Sequence, residues 1–288
     1  MIAKTVVALG LVLCLASAAQ ATVTSNYAYY RLGEDQGAVV GGDASAPQLA
    51  NTDGTTFQDT LYTYLGGSGG TAVYSDDVKA GSGSTTSVLL NGWGGWANNI
   101  GGVWDTGTNP SIQAMSGGNW GMEVYVKSVG ASFANDGRIY QNGRGPIGGQ
   151  WSALQVSGNG STLFREGDNG TPQWSASAIA DEQWHSVVLV QRDSSFAGDK
   201  FYVYYDGVLA YSDNSLGQTS TPQSMFMLGG SDGATWTGYL DEFRIFTFDA
   251  SAANDQILAE TNMTIPEPAT MSLLVIGAVA GLIRRKKT

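Results

Sequence analysis

Short apolar and alternating stretches, separated by turns rich in Gly, Asn, Asp and Ser, run through most of the chain. They are rich in Val, Tyr, Trp, Phe and Thr, the residues that favour strands. The pattern predicts strands at residues 27–32, 60–65, 86–90, 120–127, 138–141, 151–156, 162–165, 183–191, 200–205, 208–212, 224–228 and 238–248. It predicts one short helix over residues 251–259, capped by Asp249 or Ser251. The pattern therefore predicts an all-β sandwich or barrel.

Three of these stretches carry further information. Residues 138–165 predict a meander of three neighbouring strands. Residues 183–191 are apolar on both faces near their centre, which is typical of a core strand. Asp206-Gly207 separates two aromatic stretches and predicts a hairpin with a type I′ turn. Residues 33–118 are less regular and glycine-rich, so we expect short strands on long loops there.

The first 21 residues form a separate segment. Lys4 is followed by an apolar run over residues 5–16 and by Ala19-Gln20-Ala21, the pattern of a secretory signal peptide cleaved before Thr22. The only cysteine, Cys14, lies in this run, and Leu13 before it disfavours a lipoprotein. We therefore expect an exported body, residues 22–264, without disulfides.

The last segment, residues 265–288, has three parts in a fixed order. Pro266-Glu267-Pro268 cannot continue a helix or strand, residues 269–283 are uncharged, and residues 284–287 are all basic. As a helix the uncharged run is about 22 Å long, against about 30 Å of hydrocarbon. It spans only if the terminal cations snorkel or the bilayer thins, with the cations staying cytoplasmic.

This tail resembles the PEP-CTERM sorting signal of certain Gram-negative bacteria. The resemblance implies transient membrane anchoring through a C-terminal hydrophobic helix, followed by cleavage near Pro266-Glu267-Pro268 by an exosortase-type transpeptidase. It also implies a surface or matrix location linked to exopolysaccharide and biofilm. The alternative is an ordinary C-terminal anchor helix. The sorting interpretation is preferred because the apolar run is short and follows the Pro-Glu-Pro directly.

Charge narrows the set of partners. The chain of 288 residues has a formal net charge of −11 and 40 glycines. Without Lys4, Glu267 and the four C-terminal cations, nine basic residues remain against 24 acids, a net charge of −15. This balance argues against nucleic acid and anionic membranes as partners of the body.

The body resembles the LamG-like, concanavalin A-like jelly roll, most clearly from about residue 120 onward. The resemblance rests on the opening Tyr29-Tyr30-Arg31-Leu32-Gly33-Glu34, the strand at 120–127, Gln183-Trp184-His185, Tyr204-Tyr205-Asp206-Gly207, and the closing strand at 238–246. It implies one two-sheet antiparallel sandwich.

The ionisable residues give little support for catalysis. His185 is the only histidine and lies within a strand motif, so we expect a packing or edge role and no zinc site. Glycosidases of this architecture carry a Glu-x-Asp-x-x-Glu strand motif, which is absent here. Asp241 and Glu242 are adjacent, so in a regular strand they face opposite sides and cannot flank one bond. We expect no enzymatic activity.

Calcium and sugar are the two candidate ligands. Some relatives of this fold bind calcium, and Asp241 with Glu34 are the candidate ligands. The alternative is that Asp241 pairs with neighbouring backbone or an arginine. Trp93 and Trp96 lie among glycines and asparagines and, with Trp104, are candidates for stacking on sugar rings. The alternative is that they plug the end of the sandwich.

Together these features predict a secreted, non-enzymatic surface or matrix protein that binds or scaffolds extracellular polysaccharide. A structural or adhesive module with a protein partner is the first alternative. A divergent glycoside hydrolase is the second.

Overall fold

The computed structural model describes residues 23–34, 37–44, 62–63, 70–91, 96–97, 118–130, 137–142, 152–156, 163–167, 175–176, 179–193, 195–214, 226–231 and 234–261. The signal peptide and the sorting tail lie outside these residues. Within them the strands are β1 Val23–Tyr30, β2 Tyr62–Thr63, β3 Thr71–Ser75, β4 Ser87–Asn91, β5 Trp96–Ala97, β6 Trp120–Ser128, β7 Gly137–Asn142, β8 Ser152–Val156, β9 Leu163–Gly167, β10 Ser175–Ala176, β11 Trp184–Gln191, β12 Phe201–Tyr205, β13 Val208–Asp213, β14 Phe226–Leu228, β15 Gly230–Ser231, β16 Ala234–Thr235 and β17 Thr237–Phe248.

The strands form two large antiparallel sheets. The first has the order β13-β12-β11-β6-β17-β4-β3, with β1 also paired to β17. The second has the order β10-β9-β8-β7-β14-β5-β2, and β15 with β16 forms a small ribbon. This is the two-sheet jelly-roll sandwich that the sequence predicts, and the meander β7-β8-β9 is confirmed.

The core lies between the two sheets. Alternate residues of β6 and β11 point inward, including Met122, Val124, Val187 and Leu189, and these side chains are buried. From the second sheet they meet Ile139, Leu154, Val156 and Leu228. The opposite side of the first sheet, which we call its outer face, carries the remaining alternate residues.

Two segments cover most of the outer face. The chain after β17 packs Ala252 and Ile257 against Val188, Val190 and Phe246. Residues 76–86, the β3–β4 loop, cover the middle of the face, where Ser84 Oγ lies 3.0 Å from Asp241 Oδ1 of β17. One end of the outer face, along β3, β4, β17, β6 and the start of β11, stays half-exposed.

Two local predictions have different outcomes. The Asp206-Gly207 turn has φ angles of 47° and 78°, as a type I′ turn requires. The helix is shorter than expected, α1 Asn254–Ala259, and Ala253 precedes it instead of Asp249 or Ser251. Asp249 Oδ1 accepts a hydrogen bond from the N–H of Ser251, two residues later in the chain and before the helix. At the helix start, Gln256 Oε1 accepts a hydrogen bond from the Ala253 N–H.

We expect Gly238→Ala to lower the free energy of unfolding by about 1–3 kcal/mol. Gly238 has φ 150°, and a Cβ there would lie 2.2 Å from the carbonyl oxygen of Lys127 on the paired strand β6. This neighbour is backbone and cannot turn away. Chemical denaturation of the purified chain measures the loss, and Thr71→Ala, on the exposed part of β3, is the control. Equal stability of the two variants would contradict the close approach.

Candidate functional site

The last strand, β17, changes its neighbour part-way along its length. Residues 237–240 pair with β4, whereas residues 243–248 pair with β1. Between these two regions the pairing with β6 shifts its register from Asp241 to Arg244, and Glu242 adopts φ 50°. This bulge breaks the regular alternation of side chains.

The bulge places two adjacent carboxylates in one cluster. Asp241, Glu242 and Glu34, which follows β1, each offer one carboxylate oxygen, and these oxygens all lie within 4.8 Å of one another. The expectation that Asp241 and Glu242 face opposite sides is therefore wrong, because it assumed a strand without a bulge. Asp241 is 0% and Glu242 1% exposed.

Three groups of residues 84–86, at the end of the β3–β4 loop, donate hydrogen bonds to Glu34. Glu34 Oε1 accepts hydrogen bonds from Ser84 Oγ at 2.6 Å, the Thr85 N–H at 2.6 Å and the Thr86 N–H at 2.9 Å. Ser84 Oγ also lies 3.0 Å from Asp241 Oδ1. A single serine hydroxyl thus links the loop to two acids of the cluster.

Two oxygens of the cluster have no such partner. Glu34 Oε2 and Asp241 Oδ2 are both buried and accept no hydrogen bond from the part of the chain that the structure describes. Glu242 is better satisfied, since the Tyr29 hydroxyl donates to its Oε2 and Arg31 Nε lies 3.6 Å from its Oε1. Buried polar oxygens are normally paired, so two buried oxygens without a partner are unusual in a folded protein.

The pKa values of the three acids reflect this crowding. Burial and the charge of Glu242 raise the pKa of Asp241 to about 9. Burial also raises the pKa of Glu242, against the opposing effects of Tyr29 and Arg31. Burial alone would raise the pKa of Glu34, but its hydrogen bonds from Ser84, Thr85 and Thr86 hold it below its usual value.

The donor set fits a hard cation. Calcium takes carboxylate, carbonyl and hydroxyl oxygens, and the cluster offers two orphaned carboxylate oxygens beside a serine hydroxyl. The predicted pair, Glu34 and Asp241, is thus brought together by the fold. Glu242 and Ser84 belong to the same cluster and were not singled out from the sequence.

His185 is buried and bonded to aspartates on two sides. Its Nδ1 lies 2.7 Å from Asp206 Oδ2, and its Nε2 lies 2.8 Å from Asp181 Oδ1. Its ring stacks on Tyr205, with centroids 4.7 Å apart. Asp206 also accepts the Ser186 N–H at 2.9 Å. The histidine therefore ties the β12–β13 turn to the segment before β11.

The three candidate sugar-stacking residues remain predictions. Trp93 and Trp104 lie outside the described residues. Trp96 belongs to β5, whose backbone pairs with β14 and β2 in the second sheet, but its side chain is not described. In the part of the chain that the structure describes, no helix has the length and apolar character needed to cross a bilayer.

Comparison with protein families identifies the domain. A model described as the concanavalin A-like lectin/glucanases superfamily matches residues 110–254, half of the chain. The protein belongs to this superfamily. The model of the PEP-CTERM protein-sorting motif matches residues 264–287, which indicates export from a Gram-negative cell. No curated protein matches the chain in sequence.

Solved structures agree with this lectin-like fold. Domain 4 of an extracellular GH43 arabinanase from Geobacillus stearothermophilus, solved with arabinotriose, is 18% identical with a TM-score of 0.53. The match covers 81% of this chain and 98% of that one. The binding domain of botulinum neurotoxin serotype G is 13% identical with a TM-score of 0.50, over 83% of this chain and 50% of that one. At these identities the similarity establishes the fold.

We expect acid to destabilise the protein partly through Asp206. Burial alone would raise the pKa of Asp206, but hydrogen bonds from His185 and Ser186 hold it below 3.8. Because the folded pKa is the lower one, this stabilisation is present above about pH 4 and is lost as the pH falls further. Melting midpoints between pH 6 and pH 2.5 should fall less steeply for Asp206→Asn than for wild type. The exposed Asp76→Asn is the control, and identical slopes for Asp206→Asn and wild type would contradict this role.

Proposed function

We propose that this protein is an exported, non-enzymatic carbohydrate-binding protein of the cell surface or extracellular matrix, where it binds or scaffolds exopolysaccharide. The observation that carries the proposal is the lectin-type sandwich, whose described architecture matches nearly the whole of an arabinanase domain solved with arabinotriose.

The acid cluster favours binding over hydrolysis. A glycosidase places two carboxyl groups on either side of an accessible glycosidic bond. Asp241 and Glu242 are buried, and Glu34 is held by the β3–β4 loop. A sugar has no access to the carboxyl groups of Asp241 and Glu242 as they are packed. The rival functions are an adhesive module with a protein partner and a divergent glycosidase.

The sorting motif supports a proposal for how the protein reaches its site. Residues 265–288 hold the exported chain transiently in the inner membrane, and an exosortase-type transpeptidase cleaves near Pro266-Glu267-Pro268. The mature domain is then released or re-anchored at the surface. Its acidic body is suited to neutral glycans more than to nucleic acid or anionic lipid.

We expect the purified full-length chain to bind at least one neutral polysaccharide. Affinity gels containing dextran, arabinan or galactomannan should retard the protein, and an alginate gel measures the effect of acidic sugars. Release of reducing sugar from any of them would favour the glycosidase. Retardation by none of them, with self-association or capture of a surface protein, would favour the adhesive module.

Trp93→Ala, Trp96→Ala and Trp104→Ala test the tryptophans predicted from the sequence. Each should weaken retention at least about fivefold if its indole stacks on the sugar, as truncation of a binding hot spot does. A variant that melts as wild type does and binds as tightly removes that residue from the site.

Calcium is the cofactor that the acid cluster supports. Two buried carboxylate oxygens without partners, Glu34 Oε2 and Asp241 Oδ2, are costly in an apolar interior. A divalent cation held by Glu34, Asp241 and Glu242 would supply the positive charge that their surroundings lack. Its role would be structural, since it would join the end of β1, the β3–β4 loop and the bulge of β17.

We expect calcium to raise the melting midpoint of wild type, because a ligand that binds only the folded state stabilises it. The gain is about 2.7 kcal/mol at a hundredfold excess over the dissociation constant. Asp241→Asn should lose this gain. In the presence of a chelator it should melt above wild type at pH values above about 9, where Asp241 is ionised, and close to wild type near neutral pH, where Asp241 holds its proton.

Asp76→Asn is the matched control, since Asp76 is an exposed acid of the same loop. It should keep the full response to calcium. A calcium response of equal size in Asp241→Asn and wild type would place the ion elsewhere.

A further inference from the structure

The half-exposed end of the outer face carries a row of side chains that crosses five neighbouring strands. Register pairs Trp184 with Lys127, Lys127 with Tyr239, Tyr239 with Leu89 and Leu89 with Val73. We call these five residues the outer row. All five are half-buried. With strands about 4.8 Å apart, the outer row is about 19 Å long.

Two aromatic rings of the outer row are held in place by charged neighbours. The rings of Trp184 and Tyr239 have centroids 5.9 Å apart and are tilted by 50°. Trp184 Nε1 donates to Asp77 Oδ1 at 2.8 Å, and Lys127 Nζ donates to Asp77 Oδ2 at 2.7 Å. Lys127 Nζ also lies 5.4 Å from the centre of the Tyr239 ring. The two rings are thus fixed before any ligand arrives, which reduces the entropy that binding costs.

The one charged side chain of the outer row is neutralised by its neighbour. Its one cation, Lys127, is paired with Asp77, and these hydrogen bonds hold the pKa of Asp77 low despite its partial burial. The body around it is strongly acidic. An acidic occupant would therefore meet repulsion from the body, and the outer row itself has no unpaired cation to attract it. Lys79 lies outside the row, 5.5 Å from the centre of the Tyr125 ring.

Polar side chains border the outer row on its open side. Thr71 and Asn91 are exposed and paired across β3 and β4, and Thr237 of β17 pairs with Asn91. Hydroxyl and amide groups both donate and accept hydrogen bonds, as sugar hydroxyls do. Apolar and aromatic surface with a few convergent polar groups is the usual composition of a small-molecule site.

We propose that the outer row is a binding site for a neutral polysaccharide chain, which lies across the strands with its sugar faces on Trp184 and Tyr239. This proposal rests on the proposed function and assigns it to a surface of the first sheet. It is separate from Trp96, which belongs to the second sheet. Thr71 and Asn91 hydrogen-bond the hydroxyls along one edge of the chain.

The test uses the full-length chain on gels containing dextran, arabinan, galactomannan or alginate. Trp184→Ala and Tyr239→Ala should each weaken retention by a neutral polysaccharide at least about fivefold. Tyr239→Phe keeps the ring and should bind as wild type does. The double variant Thr71→Ala/Asn91→Ala touches only exposed side chains and should weaken binding about threefold.

Tyr202→Ala is the matched control, because Tyr202 is a half-buried tyrosine of the same outer face but lies on β12, outside the outer row. Melting midpoints establish that each variant is folded. If Trp184→Ala fails to fold, Tyr239→Ala and the exposed double variant decide the outcome.

The outcomes separate this site from the proposed function. Wild-type binding that survives in folded Trp184→Ala and Tyr239→Ala overturns the outer row and leaves carbohydrate binding standing, with its site elsewhere. Retention by alginate alone overturns the argument from charge and so the outer row. Failure of wild type to bind any of the four polysaccharides overturns both. If wild type self-associates and Tyr239→Ala abolishes this self-association, the outer row is an interface between copies of the chain. That result would overturn the outer row as a sugar site.

Discussion

The crowding of three carboxyl groups at the bulge of β17 is the constraint on which the rest of the first sheet depends. Two unit charges 4 Å apart repel by about 4 kcal/mol at an effective dielectric constant of 20. Carboxyl oxygens of Glu34, Asp241 and Glu242 lie within 4.8 Å of one another, and Arg31 Nε lies 3.6 Å from Glu242 Oε1. Burial and the charge of Glu242 raise the pKa of Asp241 to about 9, so Asp241 holds a proton at neutral pH. The cluster lies where β17 exchanges β4 for β1, so the sheet cannot avoid bringing these segments together. Hydrogen bonds from Ser84, Thr85 and Thr86 to Glu34 offset part of the free-energy cost of crowding these groups together. The rest of that cost falls on Glu34 Oε2 and Asp241 Oδ2, which are buried without a hydrogen bond from the described residues.

Most strands could be predicted from the sequence, because their apolar residues follow the two-residue period of a sheet. The core strand β11 and the hairpin at Asp206-Gly207 are clear cases, since burial and turn geometry are encoded locally. The strand β3 was missed, because Thr71–Ser75 follows a glycine-rich stretch and its pairing with β4 is what makes it a strand. The helix cap was wrong, because Asp249 is engaged by Ser251 in a turn that precedes the helix.

The candidate site was predictable only in part. Resemblance paired Glu34 with Asp241, and the fold brings them together. Their third partner was excluded by strict alternation, which fails wherever a bulge adds a residue to one strand. Nothing in the sequence pattern of 238–248 signals that bulge, because its cause is the exchange of neighbouring strands. The role of Ser84 could not be predicted either, because a single serine in a glycine-rich loop belongs to no periodic pattern. The outer row required the register of five strands before its members could be seen as neighbours.

The β3–β4 loop connects the two candidate sites physically. Ser84 in this loop bonds Glu34 and Asp241, whereas Asp77 in the same loop bonds Trp184 and Lys127. The segment between them lies over the sheet, with Lys79 5.5 Å from the centre of the Tyr125 ring. A cation that neutralises the acids would hold Ser84 and its neighbours in place, and the position of Asp77 follows from theirs. Since Asp77 orients the indole of Trp184, the buried charge and the aromatic surface are two ends of one structural unit. If the proposed function holds, the acid cluster would serve binding by fixing the loop, without touching the sugar.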